Sequence, residues 1–192
     1  EERYALAVRG ASDGLWDWNL KTNEIYLSPR WKQILGYEDD EIGNEPDEWL
    51  GRVHPDSQQE VKMKIDAHLQ GRTPHFESEH RLCHKDSIYR WVLARGLALF
   101  DETGSAYRMA GSHTEISSRK EAENQLRHDA FYDSLTDLPN RALFLDRLGS
   151  AILRNQRNPS AEFGILYLDL DHFKLINDSL GHNVGDILLQ EI

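Results

Sequence analysis

The stretch best suited to chemistry lies toward the C-terminal end of this sequence. An apolar run from Phe163 to Leu168 stops at Asp169-Leu170-Asp171, and a helical pattern then opens at His172 and Phe173. A nearly continuous apolar run of this kind predicts a central strand buried on both faces. A carboxylate at the end of such a strand is a hard oxygen donor, suited to a divalent cation of the Mg²⁺ type, which takes carboxylate, carbonyl and water ligands. Asp169 is placed to be one such ligand. The N–H groups of His172 and Phe173 at the helix start are placed to hold phosphate oxygens, and Lys174 adds a point charge. Each residue also has a plain reading: Asp169 as a strand-end cap, Asn177 and Asp178 as helix-end residues, His182 as a structural group. The spaced set in a strand–turn–helix context favours a phosphate site over those readings.

Elsewhere the candidates are weaker. Cys83 is the single cysteine, sits in a strand pattern, and lacks the neighbours a flavin-adduct thiol needs. His68, on a helix, and His80, on an inward strand face, are possible axial ligands for haem. Both read more simply as structural histidines, since a ligating imidazole needs a second partner that sequence does not show.

The elements that must carry these groups follow from the periodicity. Tyr4 to Val8 predicts a short amphipathic lead-in helix. Leu15 to Leu20 alternates, with Trp16, Trp18 and Leu20 on one face, and a K-T-N-E turn leads to a second strand at Ile25 to Ser28. Ser28-Pro29 predicts an N-cap and first-turn proline for a helix through Trp31, Ile34 and Leu35, ended by Gly36. Tyr37 to His54 predicts short turns anchored by Trp49, Leu50 and Val53. Ser57 and Glu60 form a capping-box pattern before a helix with Val61, Ile65 and Leu69 in one stripe, ended by Gly71. Three strands follow. His75 to His84 has Phe76, Ser78, His80 and Leu82 on one face; Tyr89 to Phe100 has Trp91, Leu93, Leu97 and Leu99 on one face and smaller residues on the other; Tyr107 to Ile116 is the last. Ser117 to Asp133 is polar and helical, with a thin seam of Ala122, Leu126 and Ala130 or Phe131, so it reads as a connector or as a short coiled coil with a second copy. Pro139 predicts the first turn of a further helix, and Asn158-Pro159 a break before the central strand.

Composition narrows the function classes. A net charge of −11 argues against a nucleic-acid partner, which needs a basic face. One thiol gives no internal disulfide and no CxxC metal site, which suits a reducing cytoplasm. The sequence holds no apolar run long enough to span a bilayer and no signal peptide. It begins in helical character without an initiator Met, so upstream sequence, including a membrane anchor, fits the expectation of a cytoplasmic segment.

Several strings together resemble a PAS sensor domain over residues 1–120: G-L-W-D-W-N-L (Gly14–Leu20), W-K-Q-I-L-G-Y (Trp31–Tyr37), V-H-P-D (Val53–Asp56), H-R-L-C-H-K-D (His80–Asp86), Y-R-W-V (Tyr89–Val92) and G-S-H-T-E-I-S-S-R-K (Gly111–Lys120). Two positions depart from that family's pattern. Ser87 stands where Gly is usual, so it must adopt a positive φ or change the turn. Glu115 stands where the family has an Asp thought to brace the exit helix, which makes Glu115 the expected signal-coupling residue. A PAS core often encloses a cavity, with candidate lining here from Trp16, Trp18, Ile25, Trp31, Ile65, Leu69, Trp91, Leu93 and Met109. These same residues also read as plain core filling. No PAS ligand is compelled.

The later strings D-S-L-T-D-L-P-N-R (Asp133–Arg141) and Y-L-D-L-D-H-F-K-L-I-N-D-S-L-G-H-N-V-G-D (Tyr167–Asp186) resemble the opening of a GGDEF domain. In that family two GTP molecules condense to cyclic di-GMP with Mg²⁺ or Mn²⁺. The resemblance implies that Asp169 and the Leu170 carbonyl ligate the metal, that His172, Phe173 and Lys174 hold phosphate, and that Asn177 and Asp186 hold the guanine edge. The string G-G-[D/E]-E-F does not occur, so no catalytic residue is assigned and the chain as given is expected to make no cyclic di-GMP.

The fold expected is α+β: a PAS domain with a five-stranded antiparallel sheet and helices on one face (1–117), a helical linker (118–133), and an incomplete α/β GGDEF domain (134–192). The function expected is a bacterial PAS-regulated diguanylate cyclase, paired as a homodimer through PAS and linker, with GTP as partner. The D-S-L-G-H variant resembles tandem proteins with a following EAL phosphodiesterase domain, which leaves a GTP-binding regulator as an alternative. A non-catalytic sensing and dimerisation module is the third reading.

Overall fold

Bulky and polar side chains that alternate take opposite faces of a pleated chain, and Leu15-Trp16-Asp17-Trp18 does so in β1 (Gly14–Asn19). The computed structural model describes residues 13–158, 160 and 162–192; the lead-in helix expected over Tyr4–Val8 and the break at Pro159 lie outside them. Asn19 closes the hairpin, its Oδ1 accepting from the N–H groups of Lys21 and Thr22. β2 (Glu24–Leu27) returns antiparallel, with Trp16 opposite Leu27 and Trp18 opposite Ile25.

The Ser28-Pro29 signal produces α1 (Pro29–Ile34), with Ser28 Oγ accepting from the Trp31 N–H at 3.3 Å. Buried Lys32 ties down the loop that follows. Its Nζ donates to the carbonyls of Asp39 (2.5 Å) and Ile42 (3.2 Å) and pairs with the Asp39 carboxylate at 2.8 Å, since a buried ammonium must have its donors met. The short α2 (Asp47–Leu50) carries Trp49 fully into the core.

Helix α3 (Pro55–Leu69) begins two residues before the predicted Ser57 cap. Pro55 takes the first turn, and His54 is the N-cap, its Nδ1 accepting from the Asp56 N–H at 3.2 Å. Proline has its φ already set and no N–H to lose, so it starts the helix. Val61 and Ile65 are buried and Leu69 is partly so, as the stripe predicts.

Strands β3 (Phe76–Cys83), β4 (Tyr89–Phe100) and β5 (Ala106–Glu115) complete an antiparallel sheet in the order β2-β1-β5-β4-β3. β3 buries Phe76, Ser78, His80 and Leu82, as the alternation predicts. β4 alternates as expected and corrects only the placing of Trp91 and Leu93 in the cavity lining. Its core-facing residues are Val92, Ala94, Gly96 and Ala98, while Trp91, Leu93, Leu97 and Leu99 take the opposite face, where Leu97 is 60% exposed. The reason is volume. The Trp16 ring lies across β4 and β5, and a Cβ on Gly96 would stand 2.7 Å from Trp16 Cζ2; only small side chains fit beneath a close-packed indole. The turn from β3 to β4 keeps Ser87 at φ 68°, one of the two outcomes its departure from Gly allows.

The chain divides into two compact units, one up to Lys120 and one from Glu121. The division falls within α4 (Ser117–Phe131), and the second unit adds α5 (Arg141–Arg157), α6 (Phe173–Leu180) and α7 (His182–Glu191). Pro139 does not open α5. It precedes the N-cap Asn140, whose Oδ1 accepts from the N–H groups of Ala142 and Leu143 at 2.9 and 3.2 Å. An amide that satisfies two free donors is the stronger start signal. The strand expected at Phe163–Leu168 does not form: these residues have no regular structure, and Leu166, Tyr167 and Leu168 are almost fully exposed. A strand exists by pairing its backbone groups, and no other strand stands beside it among the described residues of this unit.

Candidate functional site

The interior of the first unit is built from rings. Trp16 and Trp49 have centroids 4.9 Å apart, and His113 sits edge-on to Trp49 at 4.8 Å and to Trp31 at 5.9 Å. Phe76 and His80 close the cluster. The sheet puts these side chains together: His113 pairs with Gly14 and Ala94 across β5, and Trp16 pairs with Gly111. Small residues in those rows leave the space the rings occupy.

Hydrogen bonds set the state of both histidines. Trp31 Nε1 donates to His113 Nδ1 at 2.9 Å, and Trp49 Nε1 donates to His80 Nε2 at 3.4 Å. Each imidazole accepts through one nitrogen and carries its proton on the other. Burial disfavours the charged form, so His80 is pushed down to about 4 and His113 well below the usual histidine range. The lone pairs that could ligate iron are therefore engaged by indole N–H groups. Three ring N–H groups, Trp16 Nε1, His80 Nδ1 and His113 Nε2, are buried without a hydrogen-bond acceptor among the described residues, which suits an acceptor in this interior and not a cation. His68 is structural. Its Nε2 accepts from the Ala98 N–H at 2.9 Å, and its Nδ1–H faces the Thr73 carbonyl at 3.0 Å.

Of the predicted cavity residues, Trp16, Ile25, Trp31, Ile65 and Met109 are buried in the core, with Trp18 and Leu69 packed against it. Trp91 and Leu93 are not part of that cluster: they lie on the other face of β4, where Leu93 is buried and Trp91 half-buried. Sequence reading missed His113 and Trp49 as the centre of the cluster. The alternation Met109, Gly111, His113 along β5 carried the signal for His113.

In the second unit the candidate phosphate residues lie along one short stretch. Asp169 and the Leu170 carbonyl precede α6, His172 is its N-cap at φ 59°, and Phe173 opens its first turn. Lys174 is exposed on that turn. Asn177 and Asp186 come from different helices. A Cβ on Gly185 would overlap Asn177 Oδ1, so the missing side chain lets α7 close on that amide one residue before Asp186. Asn177 Oδ1 is buried there without a hydrogen-bond partner among the described residues. No group of three His, Cys, Asp or Glu side chains gathers to hold a metal among the described residues. The Asp169 carboxylate and the Leu170 carbonyl are hard oxygen donors, the kind of ligand that Mg²⁺ takes together with water and phosphate oxygens.

At the exit of the sheet, the Glu115 carboxylate is exposed and makes no hydrogen bond or ion pair among the described residues. No helix among them is long and apolar enough to cross a membrane.

Comparison with known proteins finds a match for each half of the chain. The PAS fold profile matches residues 24–113, and the profile of the diguanylate cyclase GGDEF domain matches residues 130–192. An uncharacterised protein of Sinorhizobium fredii, y4lL, is 30% identical over the whole chain, which spans 24% of that protein. Diguanylate cyclase TpbB of Pseudomonas aeruginosa is 40% identical over 59% of this chain and 26% of its own length. The chain thus spans about a quarter of these two curated relatives. A sensory box histidine kinase/response regulator structure from Burkholderia thailandensis is 43% identical, with a TM-score of 0.58, over 65% of this chain and 92% of that one. Residues 24–113 therefore belong to the PAS fold family, and residues 130–192, reached through α4, to the GGDEF diguanylate cyclase family.

Proposed function

We propose that this chain belongs to a PAS-regulated GGDEF signalling protein in which α4 carries the state of the sensor to a nucleotide-binding segment. The observation that carries this reading is that a PAS unit and a GGDEF segment share one chain and meet within a single helix, Ser117–Phe131. The reaction is condensation of two GTP molecules to cyclic di-GMP, each copy of the domain holding one GTP. Bound Mg²⁺ supplies charge neutralisation on the phosphates. Asp169 and the Leu170 carbonyl hold it from the protein side. The N–H groups at the start of α6 and the Lys174 ammonium hold phosphate oxygens. Asp186 accepts from the guanine N1–H and N2–H, and Asn177 donates to a ring acceptor. Pairing of two copies is supported by the exposed apolar side chains Tyr26, Leu97 and Leu99 on one face of the sheet, and by exposed Leu126 on α4.

The test is product formation from GTP and Mg²⁺. The 192-residue chain is expected to form none, because no G-G-[D/E]-E-F string supplies a second metal-binding carboxylate. A chain that includes such a loop is expected to form cyclic di-GMP and to lose at least about a hundredfold with Asp169→Asn. Turnover that survives Asp169→Asn would overturn the assignment, and GTP binding without product would favour the regulator of a phosphodiesterase.

A further inference from the structure

We propose that Glu79 is the positioning residue through which the PAS sheet holds the first turn of α4, a role the sequence pattern gives to Glu115. The inference rests on the reading above that α4 carries the output.

The chain leaves the sheet around Trp91. The Ile116 N–H donates to the Trp91 carbonyl at 2.8 Å, and the Trp91 N–H donates to Ser117 Oγ at 3.1 Å. Both backbone groups of Trp91 are thus committed to the residues where α4 begins. Two cations stand over the Trp91 ring, Arg81 from β3 with its guanidinium carbon 5.5 Å from the ring centre, and Lys120 from α4 with Nζ at 5.3 Å. Glu79 stands two residues from Arg81 on the same outer face of β3. Its carboxylate pairs with Arg119 and with Lys120, the latter at 2.6 Å. One side chain of the sheet therefore grips two consecutive residues of the exit helix. The Lys120 contact, with Arg119 adding to it, draws the Glu79 carboxyl below its ordinary range, so the charge that makes the grip persists in mild acid.

The same strand reaches the core. Ser78 and His80, on either side of Glu79, face inward, and His80 accepts from Trp49 of the helical layer. Successive residues of a strand cannot move independently. A shift of β3 that follows a change among the core rings must displace Glu79, and with it the turn of helix it holds. Beyond that turn α4 has no buried residue, so the grip at its start fixes how it leaves the unit. Glu115 pairs with Val92 in the ladder but its carboxylate reaches no partner among the described residues.

Amide hydrogen exchange at Lys120 to Asn124 in the 192-residue chain reads this hold. Partly exposed ion pairs are each worth a few-fold in an equilibrium, so Glu79→Gln is expected to speed exchange there about fivefold at low salt. Added salt, which loosens the unaltered chain by screening, is expected to have little further effect in the variant. Glu115→Gln is expected to leave these amides unchanged, and Glu79→Lys combined with Arg119→Glu and Lys120→Glu to restore protection. Tryptophan fluorescence confirms that each variant is folded. Unchanged exchange in Glu79→Gln, or equal loosening by Glu115→Gln, overturns the proposal. If Glu79→Gln loosens α4 but leaves the cyclic di-GMP output of a loop-bearing chain unaltered, the hold by Glu79 stands and the role of α4 as output element falls.

Discussion

Acidification from pH 7 to pH 5 is expected to weaken the PAS unit by ~2 kcal/mol through His80 alone. His80 is fully buried and held near 4, against about 6.5 in an unfolded chain. Above 6.5 both states are neutral and the histidine contributes no pH dependence. Between 6.5 and 4 the unfolded chain binds a proton that the folded chain refuses, so stability falls as pH falls. One pK unit corresponds to ~1.4 kcal/mol, so the loss grows from ~2 kcal/mol at pH 5 toward ~3 kcal/mol at pH 4. His113, fully buried beside it and also lowered, adds in the same direction.

The window isolates the histidines. Carboxylates such as Glu41, Glu77, Asp86 and Asp101 are held below their ordinary range by hydrogen bonds from their partners. Their contribution has the same sign but is lost only as the pH falls below about 4.5. Urea unfolding followed by tryptophan fluorescence at pH 7.0 and 5.0 measures the difference. All five tryptophans lie at or before residue 91, so the signal reports the PAS unit alone. His80→Gln keeps an acceptor for Trp49 Nε1 and should flatten the slope, and the double variant with His113→Gln should flatten it further. Stability that stays constant from pH 6.5 to 5, or a slope that survives both substitutions, would refute the reasoning.

Two substitutions test the sheet and its turns. Ser87→Gly relieves a left-handed backbone at φ 68° and is expected to raise stability by about 1 kcal/mol in the same urea assay; a loss would show that the serine side chain holds the turn. Gly111→Ala places a Cβ against the Arg95 carbonyl and 2.6 Å from Trp16 Cζ2, and a cost of about 3 kcal/mol or more is expected, visible as a lowered melting midpoint.

The PAS half was legible because its signals are local. Alternation assigned every strand, and Ser28, Pro29, Gly36 and Gly71 bounded the helices near where they stand. Apart from the start of α3, the misreadings arise because sequence shows each side chain and not its distant neighbours. In β4, Trp91 and Leu93 read as candidate cavity lining, but Trp16, brought over from β1, fills the space over the opposite, small-residue face. In the same way Trp49 comes from a four-residue helix whose pattern is too short to show that its indole meets both His80 and His113. Glu79 escaped notice because its partners are 40 and 41 residues away, and ion pairs between distant segments leave no periodicity.

The proposed phosphate site was legible as spacing and only partly as geometry, and the division follows from what holds each residue. Phe173, Lys174 and Asn177 sit on α6, whose backbone bonds are internal, so the helix forms from its own residues. Asp186 follows on α7, brought in by the gap that Gly185 leaves beside Asn177. Asp169 has no such support. It ends a run whose N–H and C=O groups can be met only by neighbouring strands, and among the described residues of its unit none is present. The residues proposed to hold guanine are thus placed by helix packing within this chain, whereas the carboxylate proposed to hold the metal has no paired strand to position it. Metal affinity at Asp169 should accordingly depend on strand formation far more than does the contact between Asn177 and Gly185.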